Sequence, residues 1–140
     1  MILVSRNSLL ERVWLWVPPI VYMAVIFYLS SEPSPLPELT KHVTDWILHS
    51  IEYAGLAVLL CRAFVGEGLG WLLSVVLASA ATSVYGASDE WHQAFVPLRS
   101  SEVRDWMADT IGGAAGVALY LILRSGSPVE DSKRHVGKRF

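Results

Sequence analysis

Residues 69–87 read LGWLLSVVLASAATSVYGA, without one charged side chain. A helix of about 20 apolar residues crosses the ~30 Å hydrocarbon layer of a bilayer. A helix of that length in a soluble bundle keeps a polar stripe toward water, and this stretch offers only small hydroxyls. The segment therefore reads as a membrane span, and the chain around it follows the same plan. Three further apolar blocks, residues 13–30, 46–64 and 103–123, have similar length, and most charges fall between the blocks. The expected fold class is all-α, a four-transmembrane-helix bundle. A soluble all-α bundle is the competing reading, and the chargeless block counts against it.

Composition narrows the function classes. Hydrophobic residues make up 53% of the 140 positions and charged residues only 17%, against about a quarter charged in ordinary domains. The chain has six tryptophans, several near block ends, where aromatic side chains favour the membrane interface. A formal net charge of −2 and the lack of a nucleic-acid motif argue against a nucleic-acid partner. A single cysteine, Cys61, excludes an internal disulfide and a cysteine-based zinc cluster. The first block lacks the small-residue end of a cleavable signal peptide. Its prolines, Pro18 and Pro19, are expected in its first turns, where they cost little.

The domain reading is a flank over residues 1–12, a four-helix membrane domain over 13–124 and a polar, mobile tail over 125–140. Lys and Arg divide unevenly about the spans. Arg6, Arg12, Arg62, Arg124, Lys133, Arg134, Lys138 and Arg139 lie on one side; Lys41, Arg99 and Arg104 lie on the other. Eight against three predicts a cell-membrane protein with both termini in the cytoplasm. Every polar group buried within the blocks then falls toward the outer leaflet, so a polar cluster is expected on that side. A short echo, YLSSE at 28–32 and YGASD at 85–89, suggests two related hairpins.

The polar residues fall at helical spacing. His49, Glu52 and Tyr53 share one face, and ionisable groups inside a span normally turn inward and pair. Asp89, His92 and Gln93 share another face if the third helix continues, with Glu90 pointing elsewhere, toward Gln93 or Ala94. Pro97 turns the chain, and Arg99 follows. Its guanidinium suits a carboxylate or phosphate, either an internal partner (Asp89 or Asp105) or an anionic ligand. Asp105 and Asp109 lie one turn apart and lead into Gly112, Gly113 and Gly116, whose small-xxx-small spacing lets a second helix come close. No spacing matches a metal-ligand motif, so no metal and no cofactor is expected.

Two segments carry a resemblance. HSIEYAGLAVL (49–59) and DEWHQAFVPLRSSEVRDWMADTIGG (89–113), with their flanking spans, resemble the VanZ-like family, small membrane proteins named after a component of a teicoplanin-resistance cluster. The resemblance covers residues 28–123. It implies that His49, Glu52, Tyr53, Asp89, Glu90, Gln93, Pro97, Arg99, Asp105 and Asp109 are the positions that matter. It also implies a place in the cell envelope and, in some members, an influence on antibiotic susceptibility. Three positions depart from the family pattern: Trp46 stands where a lysine is frequent, Leu98 where glycine is frequent, and Asp109 where asparagine is common.

Three functions fit these residues. The first is binding of an anionic envelope lipid or cell-wall precursor through Arg99, helped by His49 and His92. The second is an enzyme of envelope lipid metabolism, with Glu90 or Asp89 as base and His49 or His92 as acid or shuttle. The third is a structural protein whose polar network docks a membrane-protein partner. The sequence leaves open whether the chain is catalytic.

Overall fold

The computed structural model describes residues 8–33 and 45–125. The expected tail, most of the first loop and the terminal basic residues lie outside them. Four helices follow in order: α1 (Leu9–Ser31), α2 (Asp45–Gly66), α3 (Trp71–Gln93) and α4 (Val103–Ser125). Each has 22 or 23 residues and is long and apolar enough to cross a membrane. At 1.5 Å per residue each spans about 33–35 Å, slightly more than the hydrocarbon layer. No strand occurs among the described residues. The chain runs up and down, so α1 and α3 point one way, and α2 and α4 the other.

Helix α1 begins four residues before the apolar block. Ser8 and Glu11 form a capping box: Ser8 Oγ accepts from Glu11 N (3.3 Å), and Glu11 Oε2 accepts from Ser8 N (2.7 Å). That satisfies two otherwise orphaned amides. The early start moves Pro18 and Pro19 from the expected first turns into mid-helix. Pro18 cannot donate to the Trp14 carbonyl. Arg62 Nη1 of α2 donates to that oxygen instead, at 3.3 Å.

The tightest contact is between the parallel helices α2 and α4. Gly112 and Gly116 face the backbone of Ser50 and Ala54, and a Cβ at either glycine would collide with it. The packing role expected for the glycines is therefore visible at backbone level. Gly113 faces the Thr82 side chain of α3, and Gly86 of α3 leaves room for the Asp109 side chain. The buried apolar core (Ile26, Tyr53, Leu56, Ala57, Leu60, Cys61, Ala78 and Val117) lies along these contacts. Helix α1 packs on α2 and α3 and keeps most of its large apolar side chains, Trp14, Val21 and Val25 among them, on the outside. On a membrane helix that is the lipid-facing surface.

The polar end carries the α3–α4 loop. Within it Leu98 is 91% exposed and takes a positive φ of 67°. This left-handed conformation costs an L-residue roughly 1–2 kcal/mol and favours glycine.

Candidate functional site

Both helical faces expected to carry polar groups turn inward at one end of the bundle. His49, Asp89, Glu90, Gln93, Asp105 and Asp109 are all buried there, beside the fully buried Tyr53. They form three local arrangements.

The first joins α2 to α4. His49 Nδ1 lies 2.9 Å from Asp109 Oδ1, with the histidine almost enclosed and the aspartate wholly so. Asp109 reaches this partner because Gly112 and Gly116 let the two backbones meet. The Tyr53 ring lies parallel to the imidazole one turn below, with centroids 6.5 Å apart. Tyr53 Oη has no hydrogen-bond partner among the described residues.

The second joins α1 to α3. Asp89 Oδ2 accepts from Ser30 Oγ (2.8 Å) and from Gln93 Nε2 (2.9 Å). Tyr85 donates to the Met23 carbonyl at 2.7 Å, fixing the same pair of helices. The third arrangement corrects an expectation. Glu90 does not point toward Gln93 or Ala94; its Oε2 accepts from the backbone N–H of Glu102 at 2.9 Å. The carboxylate thus sits at the amino end of α4, where orphaned amides and the helix dipole favour negative charge.

His92 departs from the cluster. It turns toward α1, where Nε2 lies 3.0 Å from Ser31 Oγ and its ring stacks on Phe27 at 4.5 Å. Arg99 makes no ion pair with Asp89 or Asp105, so the internal pairing considered for it does not form. Instead it lines a cleft of about 260 Å³ together with His49, Glu52, Asp45, Ser30, Gln93 and Tyr22. A second cavity lies along the same face of α2. It is almost wholly apolar, about 490 Å³, and is lined by Tyr22, Ile51, Ala54, Gly55, Val58, Leu59 and Leu119. Tyr22 and Ile51 belong to both.

Comparison with known proteins bears on the same residues. A model of the VanZ/LLP1 family matches residues 15–124, the four helices almost end to end. The chain belongs to the VanZ/LLP1 family. Neither the comparison with curated proteins nor that with solved structures returned a match.

Two positions singled out in the sequence acquire a physical meaning in the fold. Leu98 occupies a left-handed backbone position of the kind that favours glycine. Asp109 puts a carboxylate against His49. Several partners were not singled out from sequence: Ser30, Ser31, Tyr22, Asp45 and Tyr85. Ser30 and Tyr85 do lie in the two echoing segments, which end parallel helices and meet through the Ser30–Asp89 bond. For Tyr22, an ordinary aromatic in an apolar block, no sequence signal distinguishes it.

Proposed function

We propose that this VanZ/LLP1 protein holds a lipid with an anionic head group, its head in the polar cleft and its chain in the apolar groove. The observation that carries this reading is that the two cavities adjoin on one face of α2, with Tyr22 and Ile51 lining both. From Ile51 to Leu59 the groove descends α2 by about 12 Å, a length suited to part of an acyl or prenyl chain. Arg99, which forms no ion pair with a carboxylate among the described residues, offers a fork of donors to a phosphate. Asp45 and Glu52 line the same cleft. They favour a head group that also carries hydroxyl or amine donors, as a sugar phosphate or phosphoethanolamine does. The excess of Lys and Arg on the side of the termini supports an outward-facing cleft with both termini in the cytoplasm. A lipid-linked cell-wall precursor fits this chemistry, and its capture there would connect the protein to teicoplanin susceptibility.

A second reading rests on the His49–Asp109 pair. A histidine held by a buried carboxylate at the base of a cleft is the arrangement of an oriented general base. One experiment addresses both. The purified protein is incubated with a bacterial envelope lipid extract and released into the gas phase for native mass spectrometry, wild type beside Arg99→Ala. Retention of an anionic lipid, at least tenfold weaker in the variant, is expected. Equal retention by both chains would refute the role of Arg99. A lipid altered chemically by wild type, and not by His49→Ala, would replace binding with catalysis.

A further inference from the structure

Beneath the cleft lies a concentration of acid that the lipid reading does not use. Glu90 and Asp105 are each 6% exposed and Asp109 is wholly enclosed, yet among the described residues no lysine or arginine forms an ion pair with any of them. Removing carboxylates from water without pairing them is costly. Hydrogen bonding meets only part of that demand. Glu90 Oε1, Asp105 Oδ1 and Asp109 Oδ2 are buried and have no hydrogen-bond partner among the described residues. These orphaned oxygens belong to side chains gathered round one nitrogen-bearing group, His49.

We propose that His49, Glu90 and Asp109 bind a divalent transition-metal ion such as Zn²⁺. One donor atom from each lies within 4.8 Å of the other two, and all three residues are buried. Donors bound to a common ion at about 2.0–2.2 Å lie within roughly 4.4 Å of one another, so modest side-chain adjustment completes the site. One imidazole and two carboxylates suit zinc and its neighbours better than calcium or magnesium, which take oxygen alone. Three protein ligands leave at least one coordination position open to water or to a ligand oxygen. The ion also supplies the positive charge that the enclosed carboxylates otherwise lack. The ligands come from three helices: α2 (His49), α3 (Glu90) and α4 (Asp109), so no local spacing motif exists to reveal them. Asp45 and Asp105 also approach His49 at the rim of the same cluster, which widens the acidic field around the ion.

The site shares His49 with the lipid cleft but does not use Arg99, so loss of lipid in Arg99→Ala and loss of metal in Glu90→Gln and Asp109→Asn are distinguishable. The test is equilibrium dialysis of the metal-stripped protein in detergent against Zn²⁺, with bound metal measured by mass spectrometry. Wild type is expected to retain about one ion per chain. His49→Ala, Glu90→Gln and Asp109→Asn are expected to lower the affinity at least a hundredfold, and Asp89→Asn, which alters the separate Ser30–Gln93 network, to change it less than threefold. No retained ion in wild type, or undiminished retention in Glu90→Gln and Asp109→Asn, overturns the proposal. A second measurement leaves the site residues unaltered, so misfolding of a site variant has no bearing on it. With His42, His92 and His135 replaced by alanine, His49 is the only histidine left. Bound Co²⁺, the spectroscopic stand-in for Zn²⁺, should then show coupling to imidazole nitrogen by pulsed electron paramagnetic resonance. A bound ion without nitrogen coupling would refute the assignment.

Discussion

Replacing Gly112 with alanine tests whether close packing of α2 on α4 creates the polar site. A Cβ at that position would lie 2.6 Å from Ser50 Cα and 2.7 Å from the Ser50 carbonyl carbon. Carbon atoms rest at about 3.5–4.0 Å, so the helices must part by roughly 1 Å. The obstacle is backbone, and no rotamer change relieves it. Overpacking of this kind costs about 1–3 kcal/mol. A further loss follows because His49 precedes Ser50 and Asp109 lies one turn before Gly112. A 1 Å separation takes the 2.9 Å His49–Asp109 contact beyond hydrogen-bond range. Leaving that buried pair apart adds about 1–3 kcal/mol, for a total near 2–6 kcal/mol. Equilibrium unfolding in mixed micelles measures the stability. Nitrogen-15 spectra of labelled histidine report whether the His49 hydrogen bond survives. Gly70→Ser is the control: a side chain there meets nothing within 4 Å, and serine caps α3 at least as well as glycine. If Gly112→Ala lies within about 0.5 kcal/mol of wild type and keeps the His49 signal, close packing does not govern the site and the reasoning fails.

Three other perturbations separate the remaining contributions. His49→Ala strands Asp109 in a fully enclosed position and should destabilise the protein by about 3–5 kcal/mol; Asp109→Asn keeps a polar partner and should cost markedly less, so equal losses would contradict the pairing. Leu98→Gly relieves the positive φ and should stabilise by up to about 1 kcal/mol after the entropy cost of glycine, read as a rise in unfolding midpoint. Ser30→Ala removes a donor from buried Asp89 and should cost about 1–3 kcal/mol, whereas Tyr85→Phe, which deletes a single bond to the Met23 carbonyl, should cost about 0.5–1.5 kcal/mol. A larger loss from Tyr85→Phe than from Ser30→Ala would show that the Asp89 network is not the main tie between α1 and α3.

The number of helices and their character were legible in the chain because lipid acts residue by residue. Residues 69–87 cannot expose charge to hydrocarbon, and no distant partner is needed to say so. The same rule explains why His49, Glu52, Asp105 and Asp109 could be read as inward-facing before any neighbour was known. Gly112 and Gly116 announced a close helix contact through their spacing, though not which helix would fill it. Helix ends were less legible: the Ser8–Glu11 box, a local polar signal, carried α1 past the start of its apolar block and placed Pro18 and Pro19 mid-helix.

Pairing between helices was beyond the sequence, because it depends on rotation and depth rather than on residue type. The spacing of Asp109 did not name its partner; a glycine-lined contact set it on His49. His92 shares a helix with Asp89 and Gln93, yet a modest difference in angle turns it to Ser31 and Phe27. Glu90 found the amino end of α4 because the turn through Pro97 and Leu98 brought that end back across it. The amphipathic cleft is likewise tertiary, since Tyr22, Ile51, Arg99 and Leu119 come from separate segments. Hydrophobicity alone determined that four helices enter the membrane; backbone approach at Gly112 and Gly116 decided which polar groups meet inside it.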